Sequence, residues 1–365
     1  MKIIINQPRT SYFVGGAEMI SIDHAINFYK LGHEVYFFTI LPKSVGLNYS
    51  KQFIKFYKDY SDKIKIVEIE QDSKIKYIYD ITPGEDRCRW NAESIYYNQK
   101  LYEYIFAHKK HYDIIFSYYN LDAVFVPKNK ISSNVLYLCG IPKNQNDFQG
   151  SFLLSYDKVL AISSEVKDSW KKYSKDEIRV VSTGVDLNRF SLKKFNKNKS
   201  QEIILLYVGR LISRKNVDKI IYAFEKLYKK YKLKLFIVGD GPDRKRLENI
   251  SSHAMFAGVV PDTEKYYKQA DIFISPSFYG EGLQGTILEA MSCGLTIIAT
   301  NNKINKMLLA NERGFITEPT IESIVKNIEK AINSDRIKIS KNARNYVFKN
   351  YDWKTKANEI LEVIK

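Results

Sequence analysis

The sequence predicts an α/β protein built from two doubly wound, parallel-sheet domains, and three observations lead there. Apolar runs of strand length alternate with amphipathic runs of helix length through both halves of the 365 residues. The order strand, glycine-containing loop, helix, strand opens the chain and opens again after residue 202. Between the two halves, around residues 191–201, LKKFNKNKSQE is polar and basic with no apolar periodicity, which reads as an interdomain linker.

The elements follow in order. KIIIN is a strand, the loop after it carries Gly15 and Gly16, AEMISIDHAINFYKLG is an amphipathic helix ended by Gly32, and HEVYFFTI is the second strand. Further strand-like runs are KIKIVEI, YDIIFSY, NVLYL and KVLAIS. In the second half IILLYVG is a buried strand, RLISRKN a basic loop, VDKIIYAFEKLYKKY a helix, and KLFIVGDG a strand ending in a glycine turn. AMFAG and ADIFISPS are strands, the latter stopped by Pro276. ILEAM is helical with Gly294 as its cap, and TIIAT is the next strand. The terminal YDWKTKANEILEVIK has helical spacing and is expected to cross back onto the first domain. The expected domains are 1–191 with 350–365, and 192–349.

Composition narrows the class. A hydrophobic content of 45% supplies two cores, and there is no apolar run near the length of a membrane span. MKIIINQP opens like a strand, without a signal-peptide core, so a cytoplasmic protein is expected. Cys88, Cys139 and Cys293 lack metal spacing and are expected as free thiols. The net charge of +16 (57 Lys and Arg against 41 Asp and Glu) suits polyanions, whether nucleic acid, an anionic lipid surface or a phosphorylated substrate. Much of it is lysine in stretches read as solvated, such as KKFNKNKSQ and KLYKKYKLK, and the Lys, Ile, Asn and Tyr content equally reflects an AT-rich genome.

Two places carry chemistry. Arg210 and Lys215 stand five apart in a loop after a strand and can converge on a diphosphate, a planar fork beside a point charge. In GEGLQGTILEAMSCG, Glu281 lies in a strand-to-helix loop and Glu289 one turn into the helix. Loops at the carboxyl ends of parallel strands are where open α/β sheets bind ligands. A carboxylate accepts a vicinal pair of hydroxyls in its plane. No D-x-D and no His/Cys/Asp cluster with ligand spacing occurs, so no metal and no cofactor are expected.

Five pieces in chain order, GGAE (15–18), STGVDLNRF (182–190), YVGRLISRKN (207–216), VGDGP (238–242) and GEGLQGTILEAMSCG (280–294), resemble the family 4 retaining glycosyltransferases of the GT-B fold, glycosyl transferases group 1. The resemblance implies two Rossmann-like domains, the N-terminal one for an acceptor and the C-terminal one for a nucleotide-diphosphate sugar. It implies a retaining, metal-independent transfer to a glycan or lipid-linked acceptor, by front-face attack in which the leaving diphosphate helps deprotonate the acceptor hydroxyl. Peripheral contact with an anionic membrane goes with such an acceptor. By the same resemblance Arg210 and Lys215 hold the diphosphate, Glu289 the ribose hydroxyls, and Glu281 the transferred sugar. Around the donor it sets Gly280, Gly282, Leu283, Gln284, Gly285, Gly209, Gly239, Gly15 and Gly16.

The chain departs from the family in two places. EGFGL is the common motif, whereas this chain has EGLQG, with Gln284 and Gly285. Many relatives also carry a histidine at the end of an N-terminal-domain strand, where NVLYLCGIP places Cys139 and Gly140, and a thiol cannot make the same hydrogen bonds. The histidines at 24, 33, 108, 111 and 253 all read as surface residues, and Glu18 reads either as a first-turn dipole partner or as a ligand. A nucleotide-sugar 2-epimerase of the same fold, a non-catalytic donor-binding relative and a nucleic-acid-binding relative are the alternatives. A dehydrogenase is excluded by the missing compact G-x-G-x-x-G. Nucleic acid is disfavoured, because no recognition motif accompanies the charge.

Overall fold

The computed structural model describes residues 1–77, 87–108, 111–118, 132–142, 153, 155–193, 202–278 and 282–365. It forms two compact units, Met1–Ser182 with Ala357–Lys365, and Thr183–Lys356.

In the first unit the elements run β1 (Lys2–Asn6), α1 (Gly16–Lys30), β2 (Glu34–Ile40), α2 (Lys51–Tyr60), β3 (Lys65–Ile69), α3 (Arg87–Ala107), β4 (Ile114–Tyr118), β5 (Ser133–Leu138), β6 (Lys158–Ala161), α4 (Ser164–Trp170) and β7 (Ile178–Val180). The strands make one parallel sheet in the order β3-β2-β1-β4-β5-β6-β7. Ile3, Ile4 and Ile5 are fully buried. A strand covered on both faces tolerates a continuous apolar run, which is why KIIIN does not alternate.

The second unit runs β8 (Ile203–Val208), α5 (Val217–Tyr231), β9 (Leu233–Val238), α6 (Arg244–Glu248), β10 (Met255–Gly258), α7 (Glu264–Gln269), β11 (Ile272–Ser275), α8 (Gly285–Cys293), β12 (Thr296–Thr300), α9 (Lys303–Leu309), β13 (Phe315–Thr317), α10 (Ile321–Asn333) and α11 (Arg336–Asn350). Its parallel sheet has the order β10-β9-β8-β11-β12-β13. One face of α5, with Ile220, Ile221, Phe224 and Leu227, packs into a core that also holds Leu205, Leu235, Ile274 and Ile298. The final helix, α12 (Trp353–Ile364), reaches the first unit, where Lys158 Nζ donates to Val363 O at 3.0 Å. Among the described residues no helix is long and apolar enough to cross a membrane.

Strand order changes direction twice: between β1 and β4 in one sheet, and between β8 and β11 in the other. At such points the loops leaving neighbouring strands turn to opposite faces and open a crevice.

The unit boundary falls at Ser182, before the sequence-read 191, because residues 183–190 are held in the second unit. Ser292 Oγ donates to Phe190 O at 2.6 Å, and Arg189 Nε to Glu264 Oε2 at 3.0 Å. Gly184 lies so close to α12 that a Cβ there would stand 2.7 Å from the Trp353 Cα. Lys193, read as part of a solvated stretch, is packed: its side chain is 7% exposed, and its Nζ donates to Asp271 Oδ1 at 2.9 Å. The rest of the expected linker, 194–201, lies outside the described residues.

Candidate functional site

The basic loop leaves β8 at the second sheet's change of direction. Tyr207 Oη donates to Arg210 O at 2.9 Å, fixing the main chain from which the exposed Arg210 side chain rises. Ser213–Lys215 make one 3-10 turn, and Lys215 is half-buried. Asn216 then takes a left-handed conformation (φ 51°), which asparagine tolerates better than most residues. Its Nδ2 donates to Pro276 O at 2.9 Å, and Phe278 N donates to Arg214 O at 2.9 Å. The loop after β8 is thereby tied to the loop after β11.

Close packing explains the glycines of VGDGP. Gly239 has φ 129°, and a Cβ there would stand 1.9 Å from Gly209 O; one at Gly241 would stand 2.3 Å from Leu211 O. Leu211 N donates to Asp240 O at 2.9 Å. These glycines let the loop after β9 lie directly against the basic loop, while Gly209 itself is confined by the Tyr207 hydroxyl, 2.7 Å from a built Cβ.

The helix after β11 brings up the second carboxylate. Glu281 and Gly280 lie outside the described residues; Gly282 is half-buried and Leu283 buried. Gln284 is the residue before α8, yet its side chain caps no helix amide. It turns back to β11, where Ser275 Oγ donates to its Oε1 at 2.8 Å. Gly285 has open space around its Cα. Glu289 is half-buried, and burial raises its carboxyl above the ordinary range, offset in part by the Tyr267 hydroxyl and the Arg189 guanidinium.

In the first unit Gly15 precedes α1, and a Cβ there would meet Glu18 Oε2 at 2.5 Å; Gly16 has open space. Glu18 is 2% exposed and stands in the first turn of α1, where a carboxylate complements the helix dipole. Cys139, just past β5, is half-buried, and burial together with the Glu18 carboxylate pushes its thiol up. The Glu18 carboxylate thus lies near enough to the Cys139 thiol to act on its charge. Gly140 O accepts from Trp170 Nε1 at 2.9 Å. Cys139 and Cys293 are free thiols.

One expectation is corrected outright. His24 is not a surface residue but is fully buried, between the rings of Phe28, Phe116, Tyr118 and Tyr137, with Nδ1 2.7 Å from Tyr118 Oη. Burial lowers its pKa to about 3, so it is neutral.

Sequence reasoning also passed over residues that shape the site. Asn216 was readable as a helix-capping residue before VDKII. Tyr207, Ser275 and Tyr267 gave no local signal, since a hydroxyl at the end of an apolar strand or on a short helix looks like core.

Two compact units, each built on a parallel, doubly wound sheet, define the GT-B fold expected from the sequence. Residues 188–361 match the family model described as glycosyl transferases group 1. An uncharacterized glycosyltransferase of Methanocaldococcus jannaschii is 28% identical over 61% of this chain and 65% of its own length. The UDP-Gal:alpha-D-GlcNAc-diphosphoundecaprenol alpha-1,3-galactosyltransferase of Escherichia coli is 28% identical over 57% of each. The chain thus spans less than two thirds of the length of either relative. Among solved structures, Anabaena Alr3699/HepE in complex with UDP and glucose superposes with a TM-score of 0.75 over 100% of this chain and 99% of that one, at 17% identity, a likeness of fold.

Proposed function

We propose that the chain moves a sugar from a nucleotide-diphosphate donor to a hydroxyl of a glycan or lipid-linked acceptor, with retention and without a divalent cation. The observation that carries this reading is the tie between the loops after β8 and β11. The hydrogen bonds from Asn216 to Pro276 and from Phe278 to Arg214 hold the loop bearing Arg210 and Lys215 beside the one that leads into α8 and Glu289. In this reading Arg210 and Lys215 neutralise the diphosphate as it gains charge on departure, a task best done by cations already in place. Glu289 accepts the ribose hydroxyls, and the amides at the start of α8 add their dipole. A nucleotide-sugar donor and a diphospholipid-linked acceptor appear in the name of the E. coli relative, and the same classes are proposed here.

Contact with an anionic lipid surface is proposed for α2 and the residues that lead into it. Leu47, Tyr49, Ile54 and Tyr57 are 40%, 39%, 53% and 46% exposed, next to the exposed Lys51 and Lys58.

The test is thermal unfolding in EDTA with UDP, GDP or ADP in excess. A ligand at about 100 times its dissociation constant stabilises by roughly 2.7 kcal/mol, which for a chain of this size moves the midpoint by about 2 to 4 °C. A shift with one diphosphate supports the donor site and names its base, whereas no shift with any of the three overturns it. Turnover that strictly requires Mn²⁺ or Mg²⁺ overturns metal independence.

A further inference from the structure

We propose that the groove between β3 and α3 is a carbohydrate-binding subsite that holds the body of the acceptor glycan away from its reacting end. Its role as an acceptor subsite rests on the transferase reading above, while its sugar-binding chemistry stands on the groove itself. The groove has a volume of about 420 Å³. Tyr96, Lys100 and Tyr104 line one wall; at four-residue spacing they share one face of α3, and all three are half-buried. The other wall is the edge strand of the sheet and the residues after it, with Glu68, Glu70 and Gln71.

Gln71 is the informative residue. It is 4% exposed, and neither its Oε1 nor its Nε2 has a hydrogen-bond partner, although its main-chain N–H is satisfied by Ser44 Oγ at 3.0 Å. Unpaired buried amides are uncommon and costly, and a glutamine kept only for packing would be better replaced by leucine. Here the donor and the acceptor of one buried amide, both without partners, border the cavity.

The kind of ligand follows from what surrounds them. Glu70 repels phosphate, and Lys100 is already paired with Glu103 Oε2 at 2.6 Å. An anion is therefore a poor occupant. Two tyrosines supply apolar surface with polar tips, and an amide that both donates and accepts suits vicinal hydroxyls, the combination that a neutral sugar presents. Position agrees as well. With β2 between them, β3 and β1 are two strand spacings apart, about 10 Å. A short oligosaccharide bridges that distance from the loop after β1 that carries Gly15 and Gly16.

The experiment uses the full chain with maltotriose, chitotriose and mannotriose, followed by saturation-transfer NMR and titration. At least one trisaccharide is expected to bind, with affinity falling about tenfold or more in Gln71→Leu and in Tyr96→Ala, and with the UDP-, GDP- or ADP-induced unfolding shift unchanged in both. Gln71→Leu should unfold at the same temperature as the parent or higher, which a structural glutamine would not allow. The proposal is overturned if no trisaccharide binds the parent chain, or if one binds both variants as tightly as the parent. A nucleoside diphosphate bound without any trisaccharide removes the groove and leaves the transferase reading. A trisaccharide bound without any nucleoside diphosphate leaves the groove as a sugar site and removes the transferase reading.

Discussion

The main-chain amide of Phe278 donates to the carbonyl of Arg214 at 2.9 Å and ties the loop leaving β11 to the loop leaving β8. Asn216, two residues on, doubles the connection through Pro276. Asn216→Ala loses that bond and places a Cβ-bearing residue without a local polar partner at positive φ. It should cost about 2 kcal/mol in denaturant unfolding and weaken nucleotide binding. Asn216→Gly, which relieves the backbone but not the lost bond, should recover part of the stability and little of the affinity.

Arg210→Ala and Lys215→Ala should leave the unfolding temperature near that of the parent and lower affinity for the preferred nucleoside diphosphate about ten- to a hundredfold each, the range of a charge-assisted hydrogen bond. Affinity for the matching nucleoside, which has no phosphate, should not change. Calorimetric titration of both ligands checks this, and equal losses for both would remove the two cations from the diphosphate.

Glu289 yields a prediction with a definite sign. Its carboxyl is raised by burial, so the folded chain holds this proton more tightly than the unfolded chain does. Its contribution to stability therefore declines as pH climbs from the ordinary carboxylate range through the raised folded value, and stays lowered above it. Glu289→Gln removes that decline: at neutral pH the variant should be as stable as the parent or more so, while binding the nucleotide about tenfold more weakly. Unfolding midpoints recorded from pH 4 to 8 check the first part, and nucleotide titration the second. A variant that loses both stability and affinity would make Glu289 a structural residue.

Gly239 and Gly285 should separate packing from ligand approach. Gly239→Ala must move the Gly209 carbonyl and adopt an unfavourable φ, at a cost of about 3 kcal/mol or more in unfolding. Gly285→Ala has open space in the first turn of a helix and should unfold within about 1 kcal/mol of the parent. Reduced turnover in this second variant alone would show that the donor needs the bare backbone there.

Much of the fold was legible because local signals agreed with tertiary ones. VDKIIYAFEKLYKKY became α5 and TIIAT became β12 without adjustment, each bounded by residues that end or begin an element. The strands β7 and β13, at three residues each, are too short to show a period. His24 was misread because its helix neighbours Asp23 and Asn27 are polar, while the rings that bury it come largely from β4 and β5, about a hundred residues away. Lys193 was misread in the same way, its partner Asp271 lying at the base of a distant strand. Residue types and spacing singled out Arg210, Lys215 and Glu289 as candidates. The hydrogen bonds from Tyr207, Ser275 and Asn216 that hold their loops depend on which strands become neighbours, and no spacing records that.

The last turns of α12 have a consequence for how the chain is made. Ala357, Ile360, Leu361 and Ile364 are buried, and residues 357–365 belong to the unit that begins at Met1. Synthesis runs from the N-terminus, and a domain ordinarily folds once its own residues have left the ribosome. Here the first unit emerges early but stays without its closing helix until the whole second unit has followed it. During that interval the surface that receives Ile360, Leu361 and Ile364 is bare, so the vulnerable nascent species is the older half of the molecule.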